Sequence, residues 1–166
     1  MKSDNGEEML PIVDEAGNII DAATRAVCHG GSKLLHPVVH LHVFDDQGRL
    51  YLQKRPDWKD IQPGKWDTAV GGHVDLGENV ATALRREARE ELGIEEFEPQ
   101  FLRSYVFESA RERELVNAFR TTVKDMPRPS EELDGGRFWS LDEIRAAIGK
   151  GILTPNFEQE FKAIFG

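Results

Sequence analysis

Three carboxylates, Glu87, Glu90 and Glu91, fall within a single helical turn of this 166-residue chain. On a helix of about 3.6 residues per turn they span about a third of the circumference. Acids packed this closely repel one another unless a cation sits among them. Oxygen donors of this kind suit a hard divalent ion, Mg²⁺ or Mn²⁺, which keeps waters and takes substrate phosphates as its remaining ligands. The ordinary alternative is a solvated acidic face paired with Arg85, Arg86 and Arg89. The preceding loop favours the metal. Gly71-Gly72 reads as a tight turn whose carbonyls approach an ion, and Glu78 stands at the loop–helix junction.

The acids need a helix to hold them. Asn79 is a good N-cap and Gly93 suits the left-handed position past the helix end. Val80, Leu84, Ala88 and Leu92 form the apolar side between them. Upstream, Leu10–Val13 and Ile19–Ala23 flank a turn at residues 14–18, and Thr24–Lys33 reads as a loop. Val38–Phe44 and Arg49–Arg55 read as a hairpin about Asp45-Asp46-Gln47-Gly48. Pro56–Trp66 is a loop, and Thr68–Val70 a short strand. Downstream, strands are expected at Phe97–Phe107, Leu115–Val123 and Arg137–Trp139. Ser140-Leu141-Asp142-Glu143 is a capping box opening a helix to Ile148. Thr154-Pro155 opens a last helix to Ile164. Strands on both sides of one helix, with helices closing the chain, predict a layered mixed α/β domain.

Composition narrows the partners. One domain's length with 39% hydrophobic residues is enough for a core. The formal charge of −9 argues against a nucleic-acid duplex or an anionic membrane. It does not oppose a small diphosphate, because a bound cation reverses the local sign. Cys28 is the one cysteine, so no intrachain disulfide forms, and a reducing, cytoplasmic setting is expected. Met1–Glu8 is polar and expected to fray. Monomer and homodimer both stay open.

Gly72, Glu78 and the run Arg86-Glu87-Ala88-Arg89-Glu90-Glu91-Leu92-Gly93-Ile94 resemble the Nudix box, GX5EX7REUXEEXGU, in every fixed position. Ala88 is small where a bulky aliphatic residue is usual. The resemblance implies a single Nudix domain over residues 1–166, with a mixed β-sheet sandwiched between α-helices. It also implies Mg²⁺- or Mn²⁺-dependent hydrolysis of a diphosphate linked to a group X by metal-activated water. Glu87 and Glu91 are then the expected metal ligands, Glu90 a third, and the Gly72 carbonyl completes the shell. Arg86 orients a carboxylate, and Glu78 ties the loop to the helix. Glu91, Glu112 and Glu114 compete as general base. Lys54 and Arg55 are candidates for phosphate oxygens, and Trp58 for stacking on X, whereas Trp66 is expected to pack.

A second resemblance covers most of the chain. His29, His36, His73, Glu112 and Glu114 match by spacing the metal ligands of type I isopentenyl diphosphate isomerase, a Nudix superfamily member. Two of that family's functional residues are missing. Its cysteine falls at Gly71, and a glycine transfers no proton; its cation-shielding tryptophan falls near Asn156, which has no aromatic face. The isomerase box is degenerate, whereas this chain keeps all three helical glutamates. Hydrolase is therefore the leading expectation. An isomerase-like protein and a non-catalytic ligand-binding module are the alternatives, and His40 and His42 are expected to be core or surface residues.

Overall fold

The computed structural model describes residues 6–59, 62–131 and 133–166. β1 (Met9–Val13) and β2 (Ile19–Thr24) form a separate antiparallel hairpin. A short helix, α1 (Arg25–His29), follows where a loop was expected. Thr24 caps it by accepting from the Val27 amide at 3.3 Å, and Gly30 ends it. Five residues are too few to show a helical period, so only the cap could have marked it. The expected fraying of residues 1–8 lies partly outside the described residues. Gly6 and Glu8 are held, their carbonyls accepting from Ala26 and Arg25 amides at 3.0 and 2.7 Å.

β3 (Leu35–Phe44) is the central strand, buried along almost its whole length as a strand covered on both faces must be. Next come β4 (Leu50–Lys54), β5 (Trp66–Thr68), β6 (Val70–His73) and the helix α2 (Val80–Leu92). β7 (Gln100–Glu108), β8 (Arg113–Thr122), β9 (Gly136–Trp139), α3 (Leu141–Ala147) and α4 (Pro155–Ile164) complete the chain. β3 runs parallel to β8 over its full length and antiparallel to β6 from Val38 to Leu41. The expected β3–β4 hairpin is paired only at its mouth, Phe44 with Leu50. Beyond that, β4 leaves to pair with β5 and β9. The strand expected at Thr68–Val70 is two strands divided at Ala69, because β5 and β6 serve different neighbours.

Alternation along β3 divides its side chains between two layers. Val39, Leu41 and Val43 pack with Ala83, Leu84, Ala88 and Leu92 of α2. His36, His40 and His42 have the parity of the opposite face, where Phe44, Leu50, Leu52 and Trp139 pack on Ile144 of α3 and on Phe157 and Phe161 of α4. Helices thus cover both sides of a mixed sheet, the α/β sandwich that the sequence predicts. No helix among the described residues is long and apolar enough to cross a membrane.

Candidate active site

α2 is capped as the sequence predicts. Asn79 accepts from the Thr82 amide at 2.8 Å, and Gly93 takes φ +67 at the C-cap. Glu87 and Glu91 are buried toward the sheet, 1% and 8% exposed, whereas Glu90 lies outward. Arg86 sits among the acids. It donates to Glu78 at 2.7 and 2.9 Å, to Glu87, to Glu90 at 3.4 Å and to the His73 carbonyl at 3.0 Å. These carboxylates hold the guanidinium firmly protonated, Glu78 contributing most, and the same pairing pulls Glu78 below the usual carboxylate range. Glu78 also accepts the Asp75 amide at 2.9 Å and so ties the loop to the helix. Glu91 turns elsewhere, accepting from the Gly71 amide at 3.2 Å and from Gln53 at 3.4 Å.

Gly71-Gly72 is not the tight turn that the sequence predicts. Both residues are extended in β6, opposite His40 and Val39 of β3. What the glycines supply is close approach on two opposite faces. A Cβ on Gly72 would stand 2.1 Å from Glu87 Oε2, so the carboxylate occupies the space that a side chain would need. A Cβ on Gly71 would meet the His40 ring at 3.4 Å.

The second set of predicted ligands converges on the far face. His29, His36 and His73 form one group, and His36, Glu112 and Glu114 another, with ligand atoms in each group within 4.8 Å of one another. Among the described residues, Glu87, Glu90 and Glu91 form no such group. α1 supplies His29, β3 His36, β6 His73, the β7–β8 loop Glu112, and β8 Glu114, which pairs directly with His36. His29 Nε2 lies 2.9 Å from His73 Nε2 and 3.5 Å from Glu112 Oε2. His36 Nδ1 donates to the Leu34 carbonyl at 3.0 Å, which leaves Nε2 with its lone pair. That Nε2 is buried without a hydrogen-bond partner, 3.9 Å from Glu112 Oε2 and 4.0 Å from Glu114 Oε2, and Glu112 Oε2 is likewise unpartnered.

Burial holds His36 below its ordinary range, so its ring is neutral, as a ligand must be. Burial raises Glu112, and burial together with the Glu112 charge pushes Glu114 up to about 8. A buried lone pair aimed at two partly buried carboxylates, with two further imidazoles beside them, fits a divalent ion.

The other expectations are placed as follows. Lys54 Nζ lies 3.4 Å from Asp134, and Arg55 3.7 Å from Asp67. Trp58 is 70% exposed, with the Lys59 ammonium 4.9 Å over its ring. Trp66 packs edge-on against Trp139. Sequence reasoning passed over Tyr105 and Glu160, which meet His40 and His42 beneath α4. The even spacing of His36, His40 and His42 along one strand was the available signal.

The NUDIX domain family model matches residues 34–157, about three-quarters of the chain. The chain belongs to the Nudix family. Among curated relatives, an isopentenyl-diphosphate Delta-isomerase of Agromyces mediolanus is 36% identical over 135 residues, covering 76% of this chain and 66% of that protein. An uncharacterized Nudix hydrolase of Yersinia pestis is 41% identical over 87 residues, covering 52% and 47%. This Nudix chain therefore spans between about half and two thirds of the length of these two relatives. One isomerase, from Brevibacterium linens, is 34% identical over 85% of this chain and 81% of its own. Among solved structures, DR0079 from Deinococcus radiodurans superposes with a TM-score of 0.82 over 96% of this chain and 100% of that one, at 23% identity. The sequence resemblances to Nudix proteins and to the isomerase scaffold both hold.

Proposed function

We propose that this Nudix chain is a divalent-metal-dependent hydrolase that cleaves the pyrophosphate bond of a diphosphate linked to a group X. The observation that carries this reading is the pair of acids pressed onto β6. Glu87 fills the space left by Gly72 while Arg86 holds it, and Glu91 is fixed by the Gly71 amide. Both acids are thereby preorganised on a short strand whose other side carries the histidine cluster.

Residues 29, 36, 73, 112 and 114 would hold one ion, and their mixed imidazole and carboxylate donors suit Mn²⁺ better than Mg²⁺. Glu87, Glu90, Glu91 and the Gly72 carbonyl would hold Mg²⁺ beside the diphosphate. When bound, such ions neutralise phosphoryl charge and acidify water. Arg86 would keep Glu87 in place, and Glu91, bonded to the Gly71 amide, would accept a proton from the attacking water. The water oxygen forms a bond to phosphorus as the bridging oxygen leaves, giving a phosphorylated X and a second phosphoryl product.

The relatives named isomerases give the alternative its weight. Position 71 offers no thiol, and position 156 no aromatic ring, which favours hydrolysis over allylic proton transfer. The test is a Mg²⁺ and Mn²⁺ hydrolysis screen over nucleotide sugars, dinucleoside polyphosphates, oxidised nucleotides and prenyl diphosphates. Glu91→Gln is expected to lower turnover by about 10²-fold or more. Conversion of isopentenyl to dimethylallyl diphosphate by the pure protein would overturn the proposal.

A further inference from the structure

The imidazoles of the histidine cluster differ in what stands behind them. His36 Nδ1 donates to the Leu34 carbonyl at 3.0 Å. That bond fixes the tautomer with a lone pair on Nε2, the arrangement a metal ligand needs. His73 faces the opposite kind of partner. Arg25, the first residue of α1, places Nη1 3.3 Å from His73 Nδ1. A guanidinium donates and never accepts, so Nδ1 must be the acceptor. A doubly protonated ring would turn an N–H toward Arg25, which rules that form out. His73 is therefore neutral, with its proton on Nε2.

That proton points into the cluster. His73 Nε2 is 2.9 Å from His29 Nε2, so it donates there and His29 accepts. His29 Nε2 is in turn 3.5 Å from Glu112 Oε2, which lies 3.9 Å from His36 Nε2. His29 and His36 thus present lone pairs toward one carboxylate oxygen, whereas His73 presents a hydrogen. To ligate through Nε2, His73 has to carry its proton on Nδ1 instead, and an N–H there cannot face a guanidinium. Arg25 has a second partner within reach. The same Nη1 lies 3.9 Å from Glu8 Oε2, and the Arg25 amide donates to the Glu8 carbonyl at 2.7 Å, which keeps the two residues together. A turn of the guanidinium toward Glu8 would release Nδ1. The proton then passes from Nε2 to Nδ1, and the ring stays neutral throughout.

We infer that Arg25 is a positioning residue that gates the histidine site: it holds His73 in the tautomer that cannot ligate, and His73 joins an ion only when the guanidinium turns to Glu8. This rests on the seating of an ion among residues 29, 36, 73, 112 and 114, and not on the hydrolysis or on where the diphosphate lies. The first test is long-range ¹H–¹⁵N NMR of the histidine rings after EDTA treatment, with His73→Gln to assign the resonances. Wild type is expected to carry the His73 proton on Nε2, and Arg25→Gln, whose side-chain oxygen can accept, to carry it on Nδ1.

The second test is calorimetric titration with Mn²⁺. Arg25→Gln is expected to bind about tenfold more tightly than wild type, the usual effect of a partner behind a metal-bound histidine. Arg25→Met removes the same charge but offers no acceptor, so its gain should be smaller. His36→Asn, added to each protein, should abolish the binding and so fix it to the cluster. A wild-type His73 proton on Nδ1, equal gains in Arg25→Gln and Arg25→Met, or binding that survives His36→Asn would overturn the inference. If the Arg25 variants fail to fold, the wild-type spectrum decides alone. The expected tautomer and affinities in a chain that hydrolyses no diphosphate would uphold the inference and refute the hydrolase reading instead.

Discussion

Replacing Gly72 by alanine tests the site at its tightest point. The new methyl would stand 2.1 Å from Glu87 Oε2 and 2.2 Å from its Cδ. Ordinary carbon–oxygen contact begins near 3.4 Å, so the carboxylate must retreat by more than about 1 Å, in keeping with the cost of overfilling a packed site. Glu87 is 1% exposed and tied to Arg86, so it cannot swing into water without breaking that bond. Losing a charge-assisted hydrogen bond costs about 1.5–3 kcal/mol. For a chain of this size that lowers Tm by roughly 4–10 °C. A displacement of about 1 Å at a metal ligand also costs about 10²-fold in rate. The control is Gly71→Ala, whose methyl meets only the His40 ring at 3.4 and 3.7 Å and should leave Tm within about 2 °C. Differential scanning fluorimetry of both variants, with hydrolysis rates on the best substrate of the screen, decides it. Equal shifts in the two variants would refute the packing argument, and an unimpaired Gly72→Ala rate would remove Glu87 from the chemistry.

Three further outcomes are expected. Arg86→Lys keeps the charge but loses the fork that spans Glu78, Glu87 and the His73 carbonyl, so it should destabilise by about 2–4 kcal/mol in urea melts. His36→Asn removes the buried lone pair and should abolish any rise in Tm on adding Mn²⁺; a retained rise would place the ion elsewhere. Without metal, the titration of Glu114 and His40 should lower stability between about pH 4.5 and 9. Glu114, raised to about 8 by burial and by Glu112, holds a proton in the folded chain that the unfolded chain has already released, so its contribution declines as pH climbs from 4.5 to 8. His40 is raised to about 9, since Glu160 outweighs the opposing effect of burial; its contribution is full below pH 6.5 and fades as pH approaches 9. Urea denaturation in EDTA across this range checks the sign. Mn²⁺ should flatten the profile by displacing the Glu114 proton.

The sequence alone determined whatever depends on neighbours within one turn. The α2 caps at Asn79 and Gly93 and the capping box at Ser140 are local hydrogen-bond patterns, and each stands where its residues put it. The register of the box likewise fixed Glu78 against Arg86, eight residues apart across a single loop–helix junction. Spacing set by a family resemblance gathered His29, His36, His73, Glu112 and Glu114, although no local rule joins residues so far apart in the chain. Tertiary structure decided the rest. Gly71 and Gly72 look alike as a dipeptide, yet alternation in β6 gives one to His40 and the other to Glu87. Arg86 lies among the helical acids because the sheet brings the His73 carbonyl and Glu78 within its reach. Glu160 meets His40 and His42 across about 120 residues, a meeting set by the packing of α4 on β3, which no periodicity in either segment encodes.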